Sequence, residues 1–179
     1  MRPLEGITVL DFTQAYSGPY CAMNLADYGA RVIKVERIET GDQSRFWNPY
    51  AANGNSGYFA VYNRNKEGIA VDMSEPEGKE VIKRLYGKVD VVLENFKFGT
   101  LDKLGLGYEE MKKVNPDIIF AYIISRILKF FRQSNLSSIS HPYCILFHRS
   151  FQSYHPILRN NTPGNFLFDL FTAQICQTE

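Results

Sequence analysis

The stretch Asp11-Phe-Thr-Gln-Ala-Tyr-Ser-Gly-Pro19 decides the fold, together with the run Ile7-Thr-Val-Leu-Asp-Phe12 that leads into it. The run is short, rich in β-branched residues and nearly all apolar, which is typical of a strand buried on both faces of a parallel sheet. Ser17 and Gly18 supply a small residue and a flexible hinge, and Pro19 suits a first helical position. We therefore predict a strand, a loop that a ligand can approach closely, and a helix start. Taken alone, the same residues favour an ordinary strand-to-helix connection.

Strand-like and helix-like segments alternate from this stretch to about residue 123. The predicted strands are Ile7–Phe12, Arg31–Glu36, Gly68–Met73, Val89–Glu94 and Asp117–Ile123. The predicted helices are Tyr20–Tyr28, 74–87, Leu101–Leu104 and Tyr108–Val114, with a long ordered loop at Ile38–Gly57. This order predicts an α/β fold with a Rossmann-like open parallel sheet, helices on both faces, and ligands outside the carboxyl ends of the strands.

One helix carries a clear start signal. Ser74 is expected to cap the backbone while Glu77, three residues later, reaches back, an arrangement worth about 1 kcal/mol. Val81, Ile82 and Leu85 then form the predicted apolar stripe of this helix.

Composition excludes several classes of function. Net charge is +1, with 45% hydrophobic and 22% charged residues, so no basic surface indicates nucleic acid. No signal core follows Met1 and no apolar run approaches the roughly 20 residues that span a bilayer, so we expect a cytoplasmic protein without membrane contact. The three cysteines show no CxxC spacing, which argues against a zinc site or a disulfide framework.

The composition changes near residue 125. Ten valines, twelve glycines and nine alanines precede that point, whereas residues 126–179 hold no valine, one glycine and one alanine. We therefore divide the chain into a first part, 1–125, and an off-pattern tail, 126–179, which is frameshifted or disordered. A lineage-specific helical extension is the alternative.

Several segments of the first part, in order, resemble the amino-terminal third of the class III CoA-transferases, which include the formyl-CoA:oxalate and carnitine enzymes. The segments are Pro3–Phe12, Ser17–Pro19, Leu25–Arg37, Gly41–Asp42, Asn63–Lys66, Val92–Phe96 and Leu104–Tyr108. The resemblance implies that an acyl-CoA and a small carboxylic acid are substrates, with no permanently bound cofactor and no metal. The residues that it implies for CoA binding are Gln14, Ala15, Tyr16, Ser17, Arg37, Val71, Asn95, Phe96, Lys103 and Leu104.

The resemblance assigns these residues different parts of CoA. The loop after the first strand, 14–17, meets the thiol end and pantetheine, and Arg37 meets the adenosine phosphates. Val71 lines the adenine, and Asn95 with Phe96 contacts nucleotide and pantetheine. Lys103 and Leu104 flank the cofactor. Without the resemblance, Asn95 is a turn cap, Phe96 a core residue and Arg37 a solvated strand end.

Family chemistry uses an aspartate that attacks the CoA thioester and becomes an aspartyl-CoA thioester. Asp169 lies at roughly the right distance along the chain, but its neighbours Phe168 and Leu170 lack the glycines of the family pattern. We therefore assign no catalytic residue and expect this chain to be a truncated, inactive fragment. Family members form interlocked homodimers, which we do not expect of this chain.

Two other functions stay open: a non-catalytic CoA- or nucleotide-binding module, and a non-functional fragment. NAD binding is a weaker alternative. Glu36 ends the second strand where an acidic residue would hold a ribose, but the first loop lacks GxGxxG.

Overall fold

The computed structural model describes residues 2–124 and 144–147. The strands within these ranges are β1 (Thr8–Asp11), β2 (Arg31–Glu36), β3 (Lys66–Ala70), β4 (Val91–Glu94), β5 (Ile119–Ile124) and β6 (Cys144–Phe147). The helices are α1 (Ser17–Asp27), α2 (Gly57–Asn63), α3 (Pro76–Tyr86), α4 (Thr100–Lys103) and α5 (Tyr108–Val114), and a 3-10 turn spans Gln43–Phe46. Asp169 and most of the tail lie outside the described residues, so the predicted division at residue 125 stays a prediction.

The sheet has the strand order β3-β2-β1-β4-β5-β6. Strands β1 to β5 pair in parallel, and β6 runs antiparallel to β5. The chain moves outward from β1 in one direction to β2 and β3, then in the other direction to β4 and β5. The order therefore reverses between β1 and β4, which is the switch point where ligands bind in open α/β sheets. The predicted α/β class and open parallel sheet are confirmed.

Two apolar layers cover the sheet, one on each face. Val9 packs in the layer beneath α1, whereas its neighbour Leu10 packs in the layer under α3, α4 and α5. Successive strand residues point to opposite faces, so a strand buried on both sides must be apolar at every position. Both residues are fully buried, and each such side chain contributes roughly 1.5–3 kcal/mol.

Helix α2 was not predicted from the sequence. It begins at Gly57, where the Ser56 hydroxyl accepts a hydrogen bond from the Phe59 N–H, and it ends at Asn63. None of its residues is fully buried, so it lacks the apolar stripe that marks a core helix. Strand β3 follows at Lys66, two residues before the predicted start at Gly68.

Helix α3 begins at Pro76, within two residues of the predicted start, but the predicted Ser74 cap is wrong. Glu75 occupies the N-cap without a side-chain hydrogen bond, and the Ser74 hydroxyl donates to Asp72 instead of capping the helix. The predicted stripe also needs correction, because Val81 is 40% exposed. Ile82 and Tyr86 are fully buried, and their spacing of four residues puts both on one helical face.

Gly18 is not a hinge. It lies inside α1, and a side chain at this position would overlap Thr13 in the preceding loop. The glycine therefore lets the helix pack closely against the loop. Among residues 2–124 and 144–147, no helix has the length and apolarity that a bilayer crossing requires.

Candidate functional site

The loops after β1 and β4 are joined at the switch point of the sheet. The Asn95 side-chain oxygen accepts the Gln14 N–H at 2.8 Å, and the Asn95 amide donates to the Gln14 carbonyl at 2.8 Å. Both residues follow the carboxyl ends of strands that are neighbours in the sheet. The structure therefore brings together two residues that the resemblance assigns to CoA binding.

A third loop, the one after β2, meets the same place. Asp42 accepts the Ala15 N–H at 3.1 Å through Oδ1, and the same oxygen accepts the N–H of Ser44 at 2.9 Å. Ala15 has a φ of 69°, a left-handed conformation that residues other than glycine rarely adopt. Such conformations persist where the surroundings impose them, and they concentrate at functional sites.

Two buried ion pairs support these loops. Lys34 Nζ lies 3.0 Å from Asp42 Oδ2, and Lys66 Nζ lies 3.0 Å from Asp11 Oδ2. Burial alone would raise the pKa of Asp42, but the Lys34 ammonium and the Ser44 and Ala15 N–H groups hold it below its usual value. Burial lowers the pKa of Lys66, and the Asp11 carboxylate offsets only part of that change.

At the end of β2, the buried carboxylate of Glu36 pairs with the exposed guanidinium of Arg45. Glu36 bonds to the Arg45 guanidinium through two contacts of 2.7 Å and accepts the Asp42 N–H at 2.8 Å. The Glu36 carboxylate is therefore bonded within the protein and is not available to bind the hydroxyl groups of a ribose. Arg37 follows Glu36 directly and is exposed. Hydrogen bonds from Ser74, and to a lesser extent the charge of Arg37, lower the pKa of the Asp72 carboxyl.

Glu94 is buried, and no lysine or arginine within the described residues forms an ion pair with it. It ends β4, is 1% exposed, and neither carboxyl oxygen makes a hydrogen bond within the described part of the chain. Burial raises the pKa of Glu94 to about 7. The Tyr122 hydroxyl lies near enough to offset part of this rise without completing a hydrogen bond, and the Asp102 carboxylate adds to it.

An aromatic cluster flanks the loop after β1. The Tyr16 ring meets the Tyr62 ring edge-on at 4.9 Å between centroids, and Tyr58 lies 4.8 Å from Tyr62 and 5.0 Å from Trp47. The tyrosines at 58 and 62 come from α2, the helix that the sequence did not predict. Because the sequence did not predict α2, it also did not predict that Tyr58 and Tyr62 lie beside the loop after β1.

The other predicted residues lie around the same edge in different settings. Val71 is buried directly after β3, and its N–H bonds to the Glu36 carbonyl at 2.8 Å. Phe96 and Leu104 pack partly buried against the apolar layer below α3. Lys103 ends α4 and is exposed. Ser17 is the first residue of α1.

The sequence analysis assigned no role to Asp11, Lys34, Asp42 or Lys66. Asp11 and Lys34 are charged residues inside apolar strands, and this was the available signal for those two, since a buried charge requires a partner. Asp42 lies in a loop and Lys66 in a polar strand, so neither carried that signal. The partners lie 8 to 55 positions apart in the sequence. No local pattern identifies such pairs.

This arrangement defines an α/β protein of the doubly wound class, in which buried polar contacts join the loops at the carboxyl ends of the strands. Comparison with known proteins then gives the family. The sequence model of CoA-transferase family III matches residues 4–125, and the chain belongs to this family.

Two curated relatives show the extent of the likeness. Succinyl-CoA:glutarate CoA-transferase of Mus musculus is 47% identical over 123 residues, covering 69% of this chain and 28% of the relative. Formyl-CoA:oxalate CoA-transferase of Afipia carboxidovorans is 45% identical over 122 residues, covering 68% and 29%. The chain thus spans under a third of the length of these relatives.

A solved structure agrees with the fold. The CAIB/BAIF family protein from Brucella suis aligns with a TM-score of 0.62 and 41% identity, covering 66% of this chain and 32% of that protein.

Proposed function

We propose that this chain carries the CoA-binding part of a class III CoA-transferase, an enzyme that moves CoA from an acyl-CoA to a free carboxylate through an aspartyl intermediate. The observation that carries the proposal is the contact between loops at the carboxyl ends of the strands. Gln14, Asn95 and the loop after β2 meet there, within the segment matched by the family. The substrates proposed are an acyl-CoA and a small carboxylic acid, with CoA bound as substrate and not as a permanent cofactor.

The proposed contacts follow the positions of the residues at this edge. Gln14, Tyr16 and Ser17 face the thiol end and pantetheine. Arg37 is proposed to bind the phosphates, because it is exposed at the end of β2 and a guanidinium pairs with phosphate oxygens in a forked geometry. The remaining contacts come from Ala15, Val71, Asn95, Phe96, Lys103 and Leu104.

We propose no catalytic residue within this chain. The family match ends at residue 125, and Asp169, the aspartate at roughly the family distance, lacks the glycines of the family pattern. The 179 residues alone are therefore expected to bind CoA without transferring it. A cytoplasmic location and the absence of the family homodimer belong to the same proposal.

Two measurements on the 179-residue chain test the proposal. Isothermal titration calorimetry with CoA is expected to show saturable binding, and a transfer assay with succinyl-CoA and a panel of carboxylates is expected to show no product. Absence of CoA binding to the folded chain would refute the CoA-binding part. A covalent CoA or acyl adduct trapped on Asp169 would refute the lack of catalysis.

A further inference from the structure

The backbone of the loop after β1 is held by side chains from three other segments. The Lys34 ammonium donates to the Thr13 carbonyl at 2.7 Å. The Gln14 N–H and carbonyl are both taken by Asn95, and the Ala15 N–H is taken by Asp42. The loop is therefore shaped by contacts that its own sequence does not contain.

Asp42 is at the centre of this arrangement. Its side chain is fully buried, and its two oxygens are shared among the Lys34 ammonium, the Ser44 N–H and hydroxyl, and the Ala15 N–H. A carboxylate bonded on every side has a single orientation, so it fixes the position of the N–H that it accepts. That N–H belongs to the one loop residue, Ala15, whose φ of 69° the backbone would not adopt unaided.

We propose that Asp42 is a positioning residue for CoA binding, which acts by holding Ala15 in its left-handed conformation. The proposal rests on the CoA-binding function proposed above. Asp42 has no exposed surface and cannot touch a ligand, so any effect it has on affinity must pass through the loop. Its role is to set the direction in which the side chains of Gln14 and Tyr16 leave the backbone on either side of Ala15.

The same contacts restrict how the loop recognises a ligand. Because the N–H groups of Gln14 and Ala15 are already bonded within the protein, they cannot serve as an anion-binding pair of backbone amides. A ligand at this loop must therefore use groups other than these two N–H groups. The site is preformed, which reduces the entropy lost on binding.

A rescue experiment tests the role of Asp42. Lys34→Met/Asp42→Ala removes the acceptor of the Ala15 N–H without leaving a buried ammonium unpaired, and it also removes the Lys34 bond to the Thr13 carbonyl. We expect CoA affinity by calorimetry to fall about tenfold. Adding Ala15→Gly to this variant should restore part of the affinity, because glycine populates positive φ readily. The glycine variant then isolates the part of the loss that belongs to Ala15. Unchanged affinity in the double variant, or no recovery with glycine, would overturn the proposal.

A matched control separates positioning from general loss of stability. Asn115 bonds through its amide to the carbonyls of Tyr86 and Val89, before β4 begins and so at the opposite edge of the sheet. Asn115→Ala is expected to lower the free energy of unfolding and to leave CoA affinity unchanged in the folded protein. A fall in affinity equal to that of the double variant would mean that binding merely follows stability.

If the double variant does not fold, a single substitution at Ala15 tests the same proposal. Ala15→Val keeps Lys34 and Asp42 and their ion pair, but a β-branched residue strongly disfavours positive φ. We expect CoA to bind about tenfold more weakly to the Ala15→Val variant than to the Ala15→Gly variant. Equal affinities for the valine and glycine variants would overturn the proposal.

The conformation of the loop after β1 can also be measured without CoA. A failure of the proposed CoA-binding function can therefore be distinguished from a failure of the positioning role. Amide hydrogen exchange by NMR is expected to show a protected Ala15 N–H in the parent chain and an unprotected one in the double variant. If the parent chain does not bind CoA, the CoA-binding function fails. An unprotected Ala15 N–H in the parent chain would overturn the positioning role whatever CoA does.

Discussion

At the scale of single residues, the carboxyl edge contains two kinds of buried carboxylate. Asp42 and Asp11 each have a lysine ammonium 3.0 Å away and further hydrogen bonds, so their charges are compensated. Glu94 has neither, although it ends the strand that is the neighbour of β1. A buried carboxylate without a partner is expensive to ionise, so Glu94 binds its proton more tightly.

The first prediction concerns the pH dependence of stability. The pKa of Glu94 rises from 4.5 to about 7 in the folded chain, so the native state keeps a proton that the unfolded chain releases between these values. Stability is therefore full below pH 4.5 and declines as pH rises through 7, by about 3 kcal/mol for this group. Glu94→Gln should remove this decline and should exceed the parent chain in unfolding free energy at pH 8.

Urea unfolding of parent and variant across this pH range measures the effect. Subtracting the two curves removes the contributions of all other titratable groups, because these are the same in both proteins. A difference that does not change with pH would contradict the raised pKa.

A second prediction concerns the proposed phosphate contact. Arg37→Ala should weaken CoA binding by roughly 1.5–3 kcal/mol, about ten- to hundredfold in Kd, because one charge-assisted contact is lost. If the 3′-phosphate is the partner, dephospho-CoA should lose much less affinity. Arg84→Ala is the control, since Arg84 is an exposed arginine in the last turn of α3 and is expected to leave both affinities unchanged. Equal CoA affinities of the Arg37 variant and the parent would exclude the contact.

At the scale of elements, one ammonium joins three segments. Lys66 at the start of β3 bonds to Asp11 in β1, to the Pro19 carbonyl in α1 and to the Asn63 side chain at the end of α2. Its side chain is 2% exposed. Removing one partner of such a buried pair leaves the other charged and desolvated.

The third prediction is that Lys66→Met lowers the free energy of unfolding by about 3–5 kcal/mol, because Asp11 becomes an uncompensated buried carboxylate. The control is Arg31→Met. The Arg31–Glu67 pair also joins β2 to β3, but both side chains are more than half exposed, so its loss should change stability little. Chemical denaturation of the two variants compares them, and equal effects would contradict the role assigned to burial.

The sequence predicted the elements well where the pattern is local. The apolar β-branched runs identified β1, β2, β4 and β5, and the alternation with helices predicted the open sheet. Helix α2 was missed because it has no buried stripe, and the cap of α3 was wrong because Ser74 bonds to Asp72.

For the site, the resemblance selected Gln14 and Asn95, and the structure joins them. It did not select Asp42 or Lys34, because their roles depend on contacts between segments that only the folded chain brings together.

At the scale of the whole molecule, exposed aromatic side chains occur in the loops of the carboxyl edge. Phe46, in the loop after β2, is 65% exposed, and Phe98, in the loop after β4, is 66% exposed. The outer strand β3 instead exposes Glu67 and Gly68, and charged residues and glycines at an edge discourage strand pairing. Association of this chain with itself is therefore expected through the aromatic loops and not through the β3 edge.

The last prediction is that the chain associates with itself in a concentration-dependent way, and that Phe46→Ser/Phe98→Ser weakens the association about tenfold or more. Burying one such ring contributes roughly 1.5–3 kcal/mol, so the loss of two should be readily measured. Val114→Ser is the control, because Val114 is also an exposed apolar residue, 56% exposed, but ends α5 away from these loops. Sedimentation velocity over a range of concentrations measures the three proteins. A parent chain that stays monomeric at every concentration and unfolds in one sharp, reversible transition would contradict the prediction.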